Sequence, residues 1–355
     1  MPDLLQQSID IILSNQDPSG AFIACPNFPI YHYSWFRDGA FIAYAMDIAG
    51  RHESAARFHQ WAAGAINRRS DVVRKAVELA GKGGPLGPDA LLHTRYTLDG
   101  EEVAGEAWPN FQLDGFGTWL WSLAQHLQRS KTALSEDWKR AAGLTAQYLS
   151  TLWQRPCYDC WEEFPDKVHT HTLAAIYGGL NAHTTLTGAD HGEDLQAISN
   201  YIKSSLVVDD YFVKFLGDTR VDASLLGIST PYRAVSPADP IMRETVARIE
   251  RTLRKGEGVH RYIDDTYYGG GEWVLLAGWL GWYYAETDQL DKACSLLNWM
   301  ELQADERGFL PEQTPTNLND SDQYGPWVKR WGPVATPLLW SHAMYILLRY
   351  AVGNR

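Results

Sequence analysis

Five short segments of the sequence combine carboxylates or arginines with aromatic side chains. They are residues 31–38, 108–115, 159–163, 260–268 and 308–313. Glu162 directly follows Trp161, and Glu312 follows an apolar pair and a proline. Sugars have apolar CH faces and polar rims, so a sugar-binding pocket needs aromatic side chains beside a few polar groups. The five segments therefore indicate a carbohydrate site.

Glycoside hydrolysis needs two carboxyl groups, one protonated to donate to the leaving oxygen and one ionised to act on water or on C1. Trp161 is an apolar neighbour that can raise the pKa of Glu162. Glu312, near an arginine or open water, is expected to stay charged. Glu163 is the alternative to Glu162, and in an extended segment the two side chains would point to opposite faces. With 43 acidic residues in the chain, spacing alone does not select among them.

Motifs for other kinds of chemistry are weaker or absent in this sequence. Cys157 and Cys160 form a CxxC, but a zinc site would need a second such pair and a redox site a thioredoxin-like βαβ setting. His169 and His171 lack an acidic partner at a familiar metal-binding spacing. The sequence also lacks the phosphate-loop, zinc-protease and serine-hydrolase motifs. We therefore expect no metal and no cofactor.

The elements that must position these residues are helical. Apolar residues recur three and four apart, which is typical of amphipathic helices. This pattern covers residues 35–48, 53–68, 114–129, 135–153, 171–187, 239–254, 273–286, 289–303 and 335–352, and more weakly 3–15, 71–81 and 190–205. The sequence thus predicts about twelve helices in an all-α fold, without the βαβ alternation of a parallel sheet.

Long segments between these helices carry the arginines, tryptophans and carboxylates. They are residues 16–34, 82–113, 155–170, 206–238 and 306–334. Loops of this length are usually functional when they are not low in complexity. No linker or change in composition divides the chain, so we expect one domain over residues 1–355.

Composition and charge exclude some classes of function. The formal net charge is −12 and no run of Lys/Arg occurs, which argues against binding to nucleic acid or anionic membranes. No stretch reaches the roughly 18 apolar residues of a membrane helix. The N-terminus has no basic region typical of a signal peptide. We expect a cytoplasmic protein with reduced thiols and a small-molecule substrate.

The ordered segments resemble those of the glucoamylase-type glycoside hydrolases, family 15. Residues 31–38 match Tyr-x-Tyr-x-Trp-x-Arg-Asp, 108–115 match Trp-x-x-x-Gln-x-Asp-Gly, 159–162 match Asp-x-Trp-Glu, 261–268 match Arg-Tyr-x-x-Asp-Thr-Tyr-Tyr, and 311–313 match Pro-Glu-Gln. Residues 221–226 and the Trp-Ser-His of residues 340–342 also fit. Each match alone is weak, but the ordered set is specific.

This resemblance implies an (α/α)6 toroid of twelve helices and an exo-acting enzyme that releases β-glucose from non-reducing ends. It implies that Glu162, which directly follows the tryptophan, is the general acid and that Glu312 is the general base. An inverting site of this kind places its carboxyl groups roughly 6.5–9.5 Å apart. The remaining implied residues are Arg37, Asp38 and Arg261 on glucose hydroxyls, Tyr31, Trp35, Trp108, Trp161 and Trp273 as pocket walls, and Gln112, Asp114 and Glu163 as further polar contacts.

Departures from the family leave the substrate open. Bacterial members often carry an N-terminal β-sandwich domain, for which this chain has no room, and Asn110 stands where starch-active fungal members have Arg. Short isomaltose-like α-1,6 or maltose-like α-1,4 glucosides are therefore expected. An α,α-trehalase, a phosphorylase on the same toroid and a non-catalytic sugar-binding toroid are the alternatives. Oligomeric state is left open.

Overall fold

The computed structural model describes residues 3–103 and 108–353. Within these ranges the chain forms thirteen α-helices and three two-stranded antiparallel ladders. The helices are α1 (Leu4–Ser14), α2 (Phe36–Ile48), α3 (His52–Arg68), α4 (Ser70–Gly81), α5 (Asp114–Ser130), α6 (Glu136–Leu152), α7 (Thr170–Thr187), α8 (Gly192–Ser205), α9 (Pro240–Leu253), α10 (Val274–Glu286), α11 (Leu290–Leu302), α12 (Tyr324–Trp331) and α13 (Leu339–Gly353). The strands are β1 (Ser34–Trp35), β2 (Arg95–Tyr96), β3 (Val207–Val208), β4 (Tyr211–Phe212), β5 (Glu272–Trp273) and β6 (Gln313–Thr314).

Local chemistry accounts for several helix ends. The side chain of Asp3 accepts a hydrogen bond from the second residue of α1, and Ser135 does the same for the first turn of α6. Asp239 caps α9, and Pro240 follows at the first helical position. Such side chains satisfy backbone N–H groups that have no partner inside the helix. Gly188 ends α7 in the left-handed conformation, which costs glycine no steric clash.

Six elements form a closed inner ring. In spatial order they are α13, α2, α5, α7, the 3-10 helix Ala223–Ile228 and α10, which packs again on α13. Every residue of α10 from Val274 to Ala285 is buried. A helix that is apolar on all sides needs neighbours on all sides, and the ring supplies them.

A second layer of helices covers the ring. Helix α1 packs on α13, α3 on α2, α6 on α5 and α7, α8 on α7, α9 on the 3-10 helix and α11 on α10. The predicted (α/α)6 toroid is confirmed, with one difference. Its sixth inner position is filled by a six-residue 3-10 helix, inside the segment 206–238 that the sequence marked as a loop.

Glycine permits one very close contact within the ring. A Cβ atom on Gly117 of α5 would lie 2.3 Å from the carbonyl oxygen of Ala175 in α7. A Cβ on Gly179 of α7 would in turn lie 2.7 Å from Gly117. The two helices can approach this closely only because neither residue has a side chain.

The twelve predicted helices all exist, but there is one additional helix and the last helix begins later than predicted. Helix α12 lies inside the segment 306–334, which was expected to be irregular. The last helix begins at Leu339 and not near residue 335, because the backbone N–H groups of Leu338 and Leu339 donate to Leu310 and Ala24. Among the helices of the described residues, none has both the length and the apolar character needed to cross a bilayer.

Candidate active site

A pocket of about 390 Å³ opens where the inner helices begin. Residues at or just before the first turns of α2, α10 and α13 lie in its wall. Helix N-termini carry partial positive charge, which favours carboxylates and hydroxyl oxygens there. Eleven of the thirteen predicted site residues line the pocket. They are Tyr31, Trp35, Arg37, Asp38, Trp108, Trp161, Glu162, Glu163, Arg261, Trp273 and Glu312. The two exceptions are Gln112 and Asp114.

Glu162 lies in a tight turn and not in an extended segment, so the prediction that Glu162 and Glu163 point to opposite faces is wrong. The carboxylate of Asp159 accepts the backbone N–H groups of Trp161 and Glu163, both at 2.9 Å. The turn places Glu162 at φ +68°, in the left-handed region that rarely holds a residue with a side chain. Both glutamates consequently reach the pocket.

The environment of Glu162 suits a proton donor. Its Oε1 accepts a hydrogen bond of 2.7 Å from the indole Nε1 of Trp35. Burial raises the pKa of Glu162, and the nearby Arg37 only partly offsets this effect. A raised pKa favours the protonated form of the carboxyl group, which the acid step requires.

The carboxylate of Glu163 contacts two other side chains of the protein. The phenol of Tyr262 donates to its Oε2 at 2.6 Å, and Arg261 lies 3.7 Å from its Oε1. Burial raises the pKa of Glu163 and Arg261 lowers it. Glu163 thus lies beside a phenol and a guanidinium, whereas Glu162 accepts from an indole.

Glu312 faces the pocket beside two phenols. Tyr31 donates to Oε1 of Glu312 at 3.1 Å, and the hydroxyls of Tyr31 and Tyr267 are 3.0 Å apart. Oε2 is buried and has no hydrogen-bond partner among the described residues. Burial raises the pKa of Glu312 to about 8, more than Arg261 and Tyr31 lower it. The sequence-based expectation of a charged Glu312 underestimated this burial.

The segment carrying Glu312 is fixed by its backbone and by α13. The N–H of Glu312 donates to Ala335, and its carbonyl accepts from Val274. His342 accepts from the N–H of Leu310, and the hydroxyl of Ser341 donates to Pro311. The Trp-Ser-His motif thus supports the chain on which Glu312 lies.

Arg37 and Asp38 lie together at the pocket wall, with Nε and Oδ2 3.5 Å apart. Neither atom has a hydrogen-bond partner in the described chain. Gln112 and Asp114 lie behind them and accept from Nη1 of Arg37 at 2.9 and 3.2 Å. Burial raises the pKa of Asp38 to about 6, against the lowering by Arg37. Gln112 and Asp114 therefore hold Arg37 and do not themselves line the pocket.

Arg261 is enclosed by an ion pair and by aromatic rings. Its Nε donates to Asp265 at 2.7 Å. The guanidinium carbon lies 5.4 Å from the ring centre of Trp161 and 4.9 Å from that of Trp273. These contacts fix the arginine between two walls of the pocket.

A buried lysine that sequence reasoning missed supports the acid turn. Lys214 Nζ lies 2.9 Å from Asp159 and 2.7 Å from Asp222. Asp222 also accepts from the indole of Trp161 at 3.0 Å. The motif around residue 222 was noticed only as a family resemblance, and no local signal pointed to Lys214.

Other lining residues were also missed in the sequence. Tyr267 lies beside Glu312, while Trp327, Arg330 and Trp331 of the unpredicted helix α12 line the pocket as well. Tyr267 belongs to the motif of residues 261–268, which was its signal in the sequence, but it was not predicted as a site residue.

The two weak metal-site motifs have structural roles. Cys157 and Cys160 are buried and form no disulfide. His169 hydrogen-bonds the carbonyls of Cys157 and Phe164, both at 3.0 Å, and His171 hydrogen-bonds that of Ser224 at 2.9 Å. These hydrogen bonds join the two histidine rings to the backbone of neighbouring loops.

Comparison with known proteins agrees with this geometry. The profile described as glycosyl hydrolases family 15 matches residues 2–312. An isomaltose glucohydrolase of Kribbella flavida is 39% identical over 359 residues, which cover 99% of this chain and 93% of the relative.

Solved structures give the same relationship. A wild-type glycosidase superposes with a TM-score of 0.94 at 39% identity, covering 99% of this chain and 96% of that chain, and a glycosidase variant with the same scores was solved in complex with glucose. The glucoamylase of Saccharomycopsis fibuligera has a TM-score of 0.69 at 15% identity, over 99% of this chain and 96% of that one, and shares the fold. The chain belongs to glycosyl hydrolase family 15 and is a glycoside hydrolase.

Proposed function

We propose that this glycoside hydrolase is an inverting, exo-acting α-glucosidase that releases β-glucose from short α-glucosides. Isomaltose-like α-1,6 substrates are the first choice, because the Kribbella flavida relative is an isomaltose glucohydrolase. The observation that carries the proposal is the pairing in one pocket of two glutamates, the half-buried Glu162 and the buried Glu312. Each accepts a hydrogen bond from an aromatic side chain at one oxygen.

The two glutamates have complementary tasks in this mechanism. Glu162 protonates the glycosidic oxygen as the bond to C1 breaks. Glu312, ionised, takes a proton from a water molecule that attacks C1 from the opposite face. Neither carboxylate bonds to carbon, so a single displacement inverts the configuration. Tyr31 orients Glu312 and stabilises its ionised form through the 3.1 Å hydrogen bond.

The pocket wall supplies the contacts that a terminal glucose needs. Arg37 Nε and Asp38 Oδ2 offer a donor and an acceptor to sugar hydroxyls. Trp35, Trp161 and Trp273 offer rings to its CH faces. Contacts that become stronger as charge develops on the sugar ring in the transition state lower the activation barrier. They therefore raise kcat and do not merely lower KM.

Exo action follows from the side chains that fill the inner ring of helices. Three aromatic rings pack together inside it: Phe41 lies 5.3 Å from Trp279 and 5.4 Å from Trp340, centre to centre. Trp340 also lines the pocket. The pocket therefore has a closed floor, and only the end of a glucan can enter.

Proton NMR of fresh product from isomaltose tests the mechanism. β-Glucose should appear first and then mutarotate. If α-glucose appears first, a covalent intermediate forms and the roles of Glu162 and Glu312 are wrong.

A disaccharide panel tests the linkage. The proposal expects the highest kcat/KM on isomaltose, a lower value on maltose and little activity on trehalose. Trehalose as the best substrate would make the enzyme an α,α-trehalase. Binding of sugars without turnover of any of them would leave a sugar-binding protein.

A phosphorylase is disfavoured by the pairing of the pocket arginines. Arg37 is held by Asp38 and Asp114, and Arg261 by Asp265, so the two buried cations already face carboxylates. The third pocket arginine, Arg330, is exposed and packs over Trp327 and Trp331. Glucose release should be the same with and without added phosphate. Phosphate-dependent formation of glucose 1-phosphate would contradict this.

A cytoplasmic location is part of the proposal. All four cysteines are free, and Cys25, Cys157 and Cys160 are buried. Free thiols are typical of reducing compartments. Cell fractionation with an antibody against the protein tests this, and recovery from the medium would contradict it.

A further inference from the structure

A second cluster of polar side chains lies at the end of α2 opposite the pocket. It consists of Asp47 in the last turn of α2, His59 in α3 and His126 in α5, which are 3%, 0% and 1% exposed. One side-chain nitrogen or oxygen of each lies within 4.8 Å of the others. Nine residues of helix separate Asp47 from Asp38, about 13 Å at 1.5 Å per residue. This cluster is therefore distinct from the active site.

The pairing within the cluster is incomplete. Nδ1 of His126 lies 3.0 Å from both carboxylate oxygens of Asp47. Nε2 of His126 and both ring nitrogens of His59 are buried without a hydrogen-bond partner in the described chain. Leaving a buried polar group unpaired destabilises the folded state. Two neighbouring imidazoles with unpaired buried nitrogens point to a bound partner that takes one nitrogen of each ring.

Charge points the same way. The ion-pair contacts of Asp47 in the described chain are with His52 and His126, and none is with a lysine or arginine. A buried carboxylate needs a positive partner. The cluster thus combines one carboxylate with imidazole nitrogens and has no lysine or arginine partner in the described chain.

The ring geometry fits a metal ion. The centroids of His59 and His126 are 5.1 Å apart. Two imidazoles that share one tetrahedral zinc at Zn–N distances of about 2.0–2.1 Å have centroids about 5 Å apart. Imidazole nitrogens with a carboxylate oxygen suit Zn²⁺, whereas Ca²⁺ and Mg²⁺ prefer oxygen ligands.

We propose that Asp47, His59 and His126 bind a structural Zn²⁺ that ties α2, α3 and α5 together. His52 completes the site from its outer side. Its Nδ1 lies 2.8 Å from Asp47, and its side chain is 41% exposed, so it also offers the ion a route from solvent. The proposal is independent of the glucosidase function and revises the expectation from sequence that the protein holds no metal.

The test uses untagged full-length protein, because a histidine tag would itself bind zinc. The protein is stripped with chelator, saturated with Zn²⁺ and freed of excess by gel filtration. Metal analysis should then give one zinc per chain for the wild type and for His183→Gln, a control histidine paired only with His191. His59→Gln and Asp47→Asn should retain less than a tenth of that zinc.

Stability gives a readout that needs no variant. Zinc that binds only the folded state should raise the Tm of the stripped wild type, increasingly with concentration. Glucosidase activity at a temperature where both forms are folded should not change. A stripped protein that takes up no zinc and shows no rise in Tm overturns the proposal, and water then fills these positions.

Discussion

Four carboxyl groups of the pocket, Asp38, Glu162, Glu163 and Glu312, have a pKa raised by burial. Asp38 further raises the pKa of Glu312, and Glu162 that of Asp38. The titrations of Asp38, Glu162 and Glu312 are therefore coupled. The limbs of a pH–rate profile then belong to the coupled set and not to single residues. Donors such as Tyr31 decide where ionisation is easiest. The hydrogen bonds around each glutamate matter as much as its burial.

Replacing Tyr31 with Phe tests that point. The phenol favours the ionised form of Glu312, so its loss should raise the pKa of Glu312 further. The acid limb of kcat/KM against pH should move to higher pH. At neutral pH kcat/KM should fall about ten-fold or more, since a hydrogen bond to a charged group contributes roughly 1.5–3 kcal/mol. Tyr33→Phe is the control, and an unmoved acid limb in Tyr31→Phe would refute this role.

Glu312 should also lower stability at neutral pH. Its pKa rises from an ordinary 4.5 to about 8 on folding, so the folded state holds this proton more tightly than the unfolded chain. The resulting stabilisation is complete below pH 4.5 and is lost as pH rises through about 8. Glu312→Gln should therefore unfold at higher temperature than wild type, by a margin that grows from about pH 5 to 8. The exposed Glu306→Gln serves as control, and a margin independent of pH would contradict the argument.

At the scale of elements, the turn of residues 159–163 holds Glu162 in a left-handed backbone conformation. Such a conformation persists only where surrounding contacts enforce it. Here Asp159 binds two backbone N–H groups, and Lys214 joins Asp159 to Asp222. Lys214 is thus a positioning residue for the acid, although it is buried outside the pocket.

Lys214→Met should therefore impair the acid step in particular. Removing one partner of a buried ion network leaves uncompensated charge, so some loss of stability is expected as well. The informative readout compares substrates in the folded variant. kcat should fall at least ten-fold on isomaltose but much less on a nitrophenyl α-glucoside, whose leaving group needs little protonation. Lys203→Met, at an exposed position, is the control, and equal losses on both substrates would indicate a merely structural role.

The contact between α5 and α7 depends on the absence of two side chains. Gly117→Ala would place a methyl group 2.3 Å from a carbonyl oxygen and force the helices apart. We expect it to lower the free energy of unfolding by about 1–3 kcal/mol, the usual cost of overpacking. Gly143→Ala in α6, with nothing within 4 Å, should be neutral or raise it by about 0.5–1 kcal/mol. Urea unfolding of both variants checks the contrast, and equal effects would mean that the contact relaxes freely.

For the whole molecule, closure of the ring joins the two ends of the described chain. Helix α13 packs on α1, α2, α10 and α11, and His342 bonds Ser8 at 2.9 Å. Each inner element therefore depends on neighbours that come from both halves of the sequence. We propose on this basis that residues 1–355 form one domain.

Calorimetry tests this proposal. A single transition whose calorimetric enthalpy equals the van't Hoff enthalpy is expected. Removal of α13 should prevent folding of the rest, since the apolar faces of α2 and α10 would be exposed. Two separate transitions would show that the chain divides into independent units.

The sequence alone determined the helices and the chemistry of the loops. Periodicity of apolar residues is a local property, so it located twelve helices, and the ordered motifs identified the family and eleven of the residues that line the pocket. It missed α12, although Tyr324, Trp327, Val328 and Trp331 recur three and four apart, because this helix has only eight residues and contains Gly325 and Pro326. The segment 206–238 contained no helical period, although a 3-10 helix there completes the ring.

Only the tertiary structure decided what surrounds each site residue. Gln112 and Asp114 lie behind Arg37. Lys214 reaches the acid turn from a distant part of the chain. Asp47, His59 and His126 meet from three helices. Partners, burial and hence pKa depend on residues far apart in sequence, and no local pattern records which of them folding brings together.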